Sequence, residues 1–131
     1  MEKVKPRILI VAEWDGFGEF FSSFLTDNNF KVTVVEVGSD IARILSELSR
    51  RVYSVIILMD SCFPYRELPE ALSKVKEKYP ELYCMVLSGE QKPDFVIELE
   101  RRGEDDFLPL PINTDYLLRR IQKALNVKES S

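Results

Sequence analysis

The sequence predicts an α/β fold, a doubly wound parallel sheet of five strands that alternate with five helices. Three observations predict it. Short apolar runs rich in β-branched residues recur along the chain, each the length of a strand rather than of a helix. Between them, apolar residues fall at helical spacing with polar residues on the other face. Residues that start or stop helices stand where one pattern gives way to the next. Buried strands joined by helical crossovers pair in parallel, with helices covering both faces of the sheet.

The elements follow in order. Residues 7–12 (RILIVA) are apolar on both faces, as a strand covered from both sides requires. Phe17, Phe21, Phe24 and Leu25 then recur at helical spacing, and Asn29 stands where a left-handed cap is wanted. Residues 31–37 (KVTVVEV) form a β-branched second strand. Ser39 or Asp40 caps the next helix, whose apolar face is Ile41, Ile44, Leu45 and Leu48. The third strand is expected over 52–59. Pro69 suits the first turn of a third helix that buries Leu72, Val75 and Tyr79. Strand four is expected over 82–87. Pro93 opens helix four, which turns Phe95, Val96 and Leu99 inward and stops at Gly103. Strand five covers 106–110, and Asn113 caps a last helix that buries Leu117, Ile121 and Leu125. A single domain over 1–131 is expected, with its core at about 7–125 and a short tail over 126–131 that frays from 127.

Composition removes several functions. The net charge of −4 lacks the basic footprint of a nucleic-acid binder, so no direct nucleic-acid partner is expected. The start has charged residues and no long apolar region, and no run approaches the length of a membrane span, so a cytoplasmic location without membrane attachment is expected. Cys62 and Cys84 show no CxxC spacing and read as reduced thiols. Histidine is absent, which removes the Ser-His-Asp arrangement and most zinc sites.

Ligands of open parallel sheets gather at the carboxyl ends of the strands, near the switch in strand order. Glu13 and Asp15 follow strand one, Asp60 follows strand three, Ser88 and Gly89 follow strand four, and Leu110 and Pro111 follow strand five. Carboxylates and a hydroxyl thus converge on one edge. Each also has a plainer reading. Asp60 serves equally as a solvated loop acid or a helix cap, Ser88-Gly89 as a turn, and Glu13 and Asp15 as acids favouring the positive end of helix one. The GFG at 16–18 is too short for a phosphate-binding loop and reads as the start of a helix.

The segments ILIVAEWD, VIILMDSCFP, VLSG and GEDDFLPLP together resemble a response-regulator receiver domain of the CheY-like superfamily, in a degenerate form. The likeness runs from about residue 7 to 125. It implies the flavodoxin-like strand order 2-1-3-4-5 and a role in two-component signalling. In that family an acid pair after strand one and a phosphoacceptor Asp after strand three bind Mg²⁺. A Ser or Thr after strand four and a Lys before a Pro after strand five contact the phosphoryl group. Carried over, the acid pair falls on Ala12 and Glu13, the phosphoacceptor on Asp60, the hydroxyl on Ser88, the switch aromatic on Phe107 and the lysine on Leu110. Counting from the start of strand three puts Met59 at the phosphoacceptor position. Counting back from Pro64 puts Asp60 there, with a bulge absorbing one residue; Asp60 is taken because the loop sets the site. The resemblance also implies a cis Leu110–Pro111 bond. Ala12 and Leu110 depart from the pattern, so Mg²⁺ is expected to be held weakly, by Glu13 and Asp60, with Asp15 partly replacing the missing acid.

The likeness implies a receiver phosphorylated at Asp60 by a histidine kinase or phosphotransfer protein, and with Ala12 and Leu110 in place phosphorylation is expected to be weak or absent, with read-out through Phe107 and Ser88 impaired. The alternative is a phosphorylation-independent pseudo-receiver, an interaction module pairing with a protein partner or a second copy through helix four, strand five and helix five. Arg101, Arg102, Glu104, Asp105, Asp106, Arg119 and Arg120 offer both charge signs there, though scattered charges also suit a plain solvated face. A flavin-carrying enzyme is disfavoured, because no Ser/Thr/Gly-rich loop follows strand one and AEWDGF is acidic where a phosphate would sit. No enzyme activity of its own is expected.

Overall fold

The computed structural model describes residues 5–13, 16–36, 40–63 and 67–130. The described strands are β1 (Arg7–Ala12), β2 (Lys31–Glu36), β3 (Val55–Met59), β4 (Tyr83–Ser88) and β5 (Asp106–Pro109). The helices are α1 (Phe17–Asp27), α2 (Ile41–Arg50), α3 (Glu67–Lys78), α4 (Pro93–Arg101) and α5 (Thr114–Ser130). All strand pairs are parallel, in the order β2-β1-β3-β4-β5. α1 packs on β1 and β2 and touches α5, while α3 touches α4. The three central strands are covered on both sides: Ile8 to Val11, Val55 to Leu58 and Cys84 to Leu87 are all buried, whichever face their side chains take.

Local chemistry sets the element ends. The Asp40 carboxylate accepts the N–H groups of Ala42 (3.1 Å) and Arg43 (3.4 Å) and caps α2. The Asn113 side chain does the same for α5, accepting from Asp115 at 2.7 Å and Tyr116 at 3.3 Å. Asn29 has the expected left-handed φ of 73° after α1, and Gly103 takes φ 105° where α4 ends.

Several expectations are corrected. β3 begins at Val55 rather than 52: its pairing with β1 starts at Ile8↔Val55, Ser54 already donates to the Arg7 carbonyl, and Val52 is 89% exposed with no described strand beside it. The VIILM run ends in a 3₁₀ turn, Asp60–Cys62, and β3 keeps an unbroken register with β4 up to Met59↔Leu87, with no bulge. Phe17 is exposed, as is Phe20, because α1 carries more aromatic residues than its buried stripe holds. Tyr79 lies just beyond the end of α3. α5 continues through Ser130, so the stretch read as a frayed tail is helical. Val37 and Ser39 lie outside the described residues.

The strand order places β2 on one side of β1 and β3 on the other, so successive strands leave β1 in opposite directions. The crevice this reversal creates opens at the carboxyl ends of β1 and β3.

Candidate functional site

Met59 closes β3, is 2% exposed, and belongs to the core. Asp60 follows it as the first residue of the 3₁₀ turn and is half-buried at the sheet edge. Its carbonyl accepts the Phe63 N–H at 3.0 Å, which closes the turn. The Cys62 thiol donates to the Val11 carbonyl at 3.5 Å, tying the turn to β1.

Ser88 is the last residue of β4 rather than the first of the loop, and it is fully buried. Its hydroxyl donates to Asp60 Oδ2 at 2.7 Å, the short distance of a charge-assisted O–H···O⁻ bond. The same Oγ accepts the Glu90 N–H at 2.9 Å, and the Ser88 carbonyl accepts the Leu110 N–H at 2.9 Å. One serine thereby links the acid after β3, the loop after β4 and the loop after β5. Glu90 was not singled out from sequence, because it takes part here through its main-chain N–H.

The remaining expected site residues are distributed differently. Glu13 directly follows β1 and is half-buried. Asp15, Trp14 and Pro64 lie outside the described residues. Ala12 is fully buried under α1: a Cβ built on Gly18 would lie 2.9 Å from the Ala12 methyl. Phe107 pairs with Val86 and is half-buried against the core, between buried Asp106 and Leu108. Leu110 lies just past β5 with its side chain packed on the core, so no ammonium stands at this position. The Leu110–Pro111 bond is cis.

A hard divalent cation suits the carboxylates of Glu13 and Asp60, since Mg²⁺ usually takes one or two carboxylates and completes its shell with water. Position 12 offers only a methyl, and among the described residues no group of three or more His, Cys, Asp or Glu side chains is placed to hold a metal ion. The chemistry of these two carboxylates suits Mg²⁺, while no larger metal-binding group is assembled among the described residues.

The charged face of α4, β5 and α5 is largely paired within the chain. Arg120 grips Asp106 through two bonds of 2.8 and 2.7 Å, which holds its guanidinium pKa up, and Asp106 is 6% exposed. Arg102 bonds Glu98 at 2.8 Å, and Lys76 reaches Asp105 at 2.6 Å. Arg101 and Arg119 are exposed.

Known proteins can be set beside this geometry. No family model matches the chain. Over 118 residues it is 29% identical to a cyclic di-GMP phosphodiesterase of Thermotoga maritima, covering 90% of this chain and 30% of that protein. Over 116 residues it is 28% identical to the regulatory protein LuxO of Vibrio cholerae, covering 88% of this chain and 25% of that one. The chain thus spans less than a third of the length of either relative. Among solved structures, a CheY-like response regulator receiver domain protein from Methanospirillum hungatei superposes with a TM-score of 0.87 at 19% identity, covering 97% of this chain and 98% of that one. The chain has the receiver-domain fold. In this fold Asp60 and Ser88 stand at the carboxyl edge of the central strands, with apolar Ala12 at the end of β1 and apolar Leu110 just past β5. No described helix of this receiver fold is long and apolar enough to cross a membrane.

Proposed function

We propose that this chain is the receiver module of a two-component signalling system and that Asp60 accepts a phosphoryl group slowly. The hydrogen bond from buried Ser88 to Asp60 carries this reading, because it fixes a carboxylate at the switch-point crevice with a hydroxyl already beside it. The donor is a phosphohistidine of a histidine kinase or phosphotransfer protein. An Asp60 oxygen forms the new O–P bond while the P–N bond of the donor breaks, and its electron pair stays on the imidazole. The Ser88 hydroxyl is placed to donate to a phosphoryl oxygen. With leucine at position 110, no ammonium meets the charge that builds on the phosphoryl oxygens. Mg²⁺, held by Glu13 and Asp60, supplies neutralisation of those oxygens when bound. The module itself is read as a non-catalytic signalling part.

A second reading, a pseudo-receiver that works by protein contact alone, is favoured by the buried methyl of Ala12 and the apolar Leu110. The two readings separate on incubation with acetyl phosphate, with and without Mg²⁺, followed by intact-mass spectrometry. A slow, Mg²⁺-dependent adduct that disappears in Asp60→Asn supports the first. An adduct absent from the wild-type chain, or one that persists in Asp60→Asn, rejects it and leaves the pseudo-receiver.

A further inference from the structure

A cavity of about 620 Å³ opens between α3 and α4, and neither Asp60 nor Ser88 lines it. Pro69, Pro93 and Phe95 give it apolar lining. At one end Glu98 and Arg102 neutralise each other through their 2.8 Å bond, and Arg102 is held further by the Ser73 hydroxyl at 3.2 Å. The unmatched charges of the lining are then three carboxylates, Glu70, Glu90 and Asp94, against the ammonium of Lys92. The loop that carries Glu90 and Lys92 is ordered from within: the Glu90 N–H donates to Ser88 Oγ at 2.9 Å, and Glu90 Oε1 accepts the Lys92 N–H at 3.0 Å.

The occupant follows from this chemistry. An anionic ligand or a nucleic-acid backbone meets net negative charge here and is repelled. A cationic one gains Coulomb attraction at the rim, and an apolar group gains contact with the prolines and Phe95. The two prolines have little conformational entropy left to lose on binding. We propose that this groove docks a basic segment of a partner protein, with one large apolar side chain seated against Phe95 and lysine or arginine side chains meeting Glu70, Glu90 and Asp94. The groove is formed with Asp60 unmodified and requires no phosphoryl chemistry.

Titration of the ¹⁵N-labelled chain with a synthetic lysine-rich peptide carrying one central phenylalanine tests this. Saturable shift changes are expected in the amides of residues 70, 90, 92, 94 and 95, which line the groove. Glu70→Lys with Asp94→Lys is expected to weaken binding by about tenfold or more, and added salt to weaken it in the wild-type chain. Asp94 also favours the N-terminus of α4, so the neutral pair Glu70→Gln and Glu90→Gln provides a milder variant that weakens binding in the same direction. The spectrum of each variant reports its fold. Absence of saturable shifts, shifts centred elsewhere, unchanged affinity in both variants, or equal binding of a glutamate-for-lysine peptide would overturn the proposal.

Discussion

At position 110 a leucine side chain rests on the core while its N–H donates to the Ser88 carbonyl. The backbone here is therefore tied to the end of β4, and on the proposed reading what is lacking is a charge. Leu110→Lys is expected to accelerate adduct formation at Asp60 from acetyl phosphate by about tenfold or more, because a hydrogen bond to a charged group contributes about 1.5–3 kcal/mol. A time course of the mass shift measures it, and an unchanged rate would place the limitation at position 12 instead. Ser88→Ala acts differently. It removes a donor to Asp60 and also leaves the part-buried Glu90 N–H without its acceptor, a loss of about 1 kcal/mol that urea denaturation would detect. Asp60 and Ser88 were legible in the sequence because an acid and a hydroxyl ending apolar runs are chemically out of place. The part played by Glu90 was not, since a main-chain N–H belongs to almost every residue and leaves no mark on the pattern.

The elements were legible wherever one force dominated. Continuous apolar runs located the central strands, and Asp40, Asn29, Gly103 and Asn113 marked helix ends through hydrogen bonds or backbone freedom that few other residues supply. The pattern failed where composition outran tertiary partners. Val52 continues the β-branched run, yet no neighbouring strand reaches it. Phe17 and Phe20 exceed the face that α1 can bury. Gly18 shows how closely α1 approaches the sheet: a Cβ there would lie 2.9 Å from Ala12 Cβ and 3.0 Å from Val34 Cγ1. Gly18→Ala gains about 1 kcal/mol in helix propensity. Against this, overpacking costs about 1–3 kcal/mol, so a net loss of stability is expected in a thermal or urea melt. A variant as stable as wild type would mean that α1 shifts outward at no cost. The same crowding bears on the missing acid, since a carboxylate introduced at position 12 enters a fully buried place.

Across the whole molecule the sheet separates two chemistries. Its carboxyl edge carries Asp60, Ser88 and Leu110, while the opposite edge, where β4 and β5 begin, carries Tyr83, Glu104, Asp105 and Asp106. Burial, with the Asp106 carboxylate second, pushes the Tyr83 hydroxyl up to about 12. Glu104 Oε2 is buried with no hydrogen-bond partner among the described residues. Burial and the carboxylates of Glu100, Asp106 and Asp105 raise its pKa from 4.5 to about 7. Lys76 and Arg120, the nearby cations, are bound to Asp105 and Asp106. A pKa raised on folding means that the native state holds this proton more tightly than the unfolded chain does. Its contribution to stability is complete below pH 4.5 and is lost as pH rises through about 7. The shift corresponds to about 3 kcal/mol at most, and about 1–2 kcal/mol once solvent screening of this half-buried group is counted. Glu104→Gln is therefore expected to flatten the fall in stability across that window and to raise stability by about 1–2 kcal/mol at pH 8. Chemical denaturation at a series of pH values measures both. Because Glu104 stands at the far edge of the sheet from Asp60, the variant should form the Asp60 adduct at the wild-type rate. A profile as steep as wild type would mean that Glu104 reaches solvent and carries no strain. A flattened profile with an altered adduct rate would show that the two edges of the sheet are coupled.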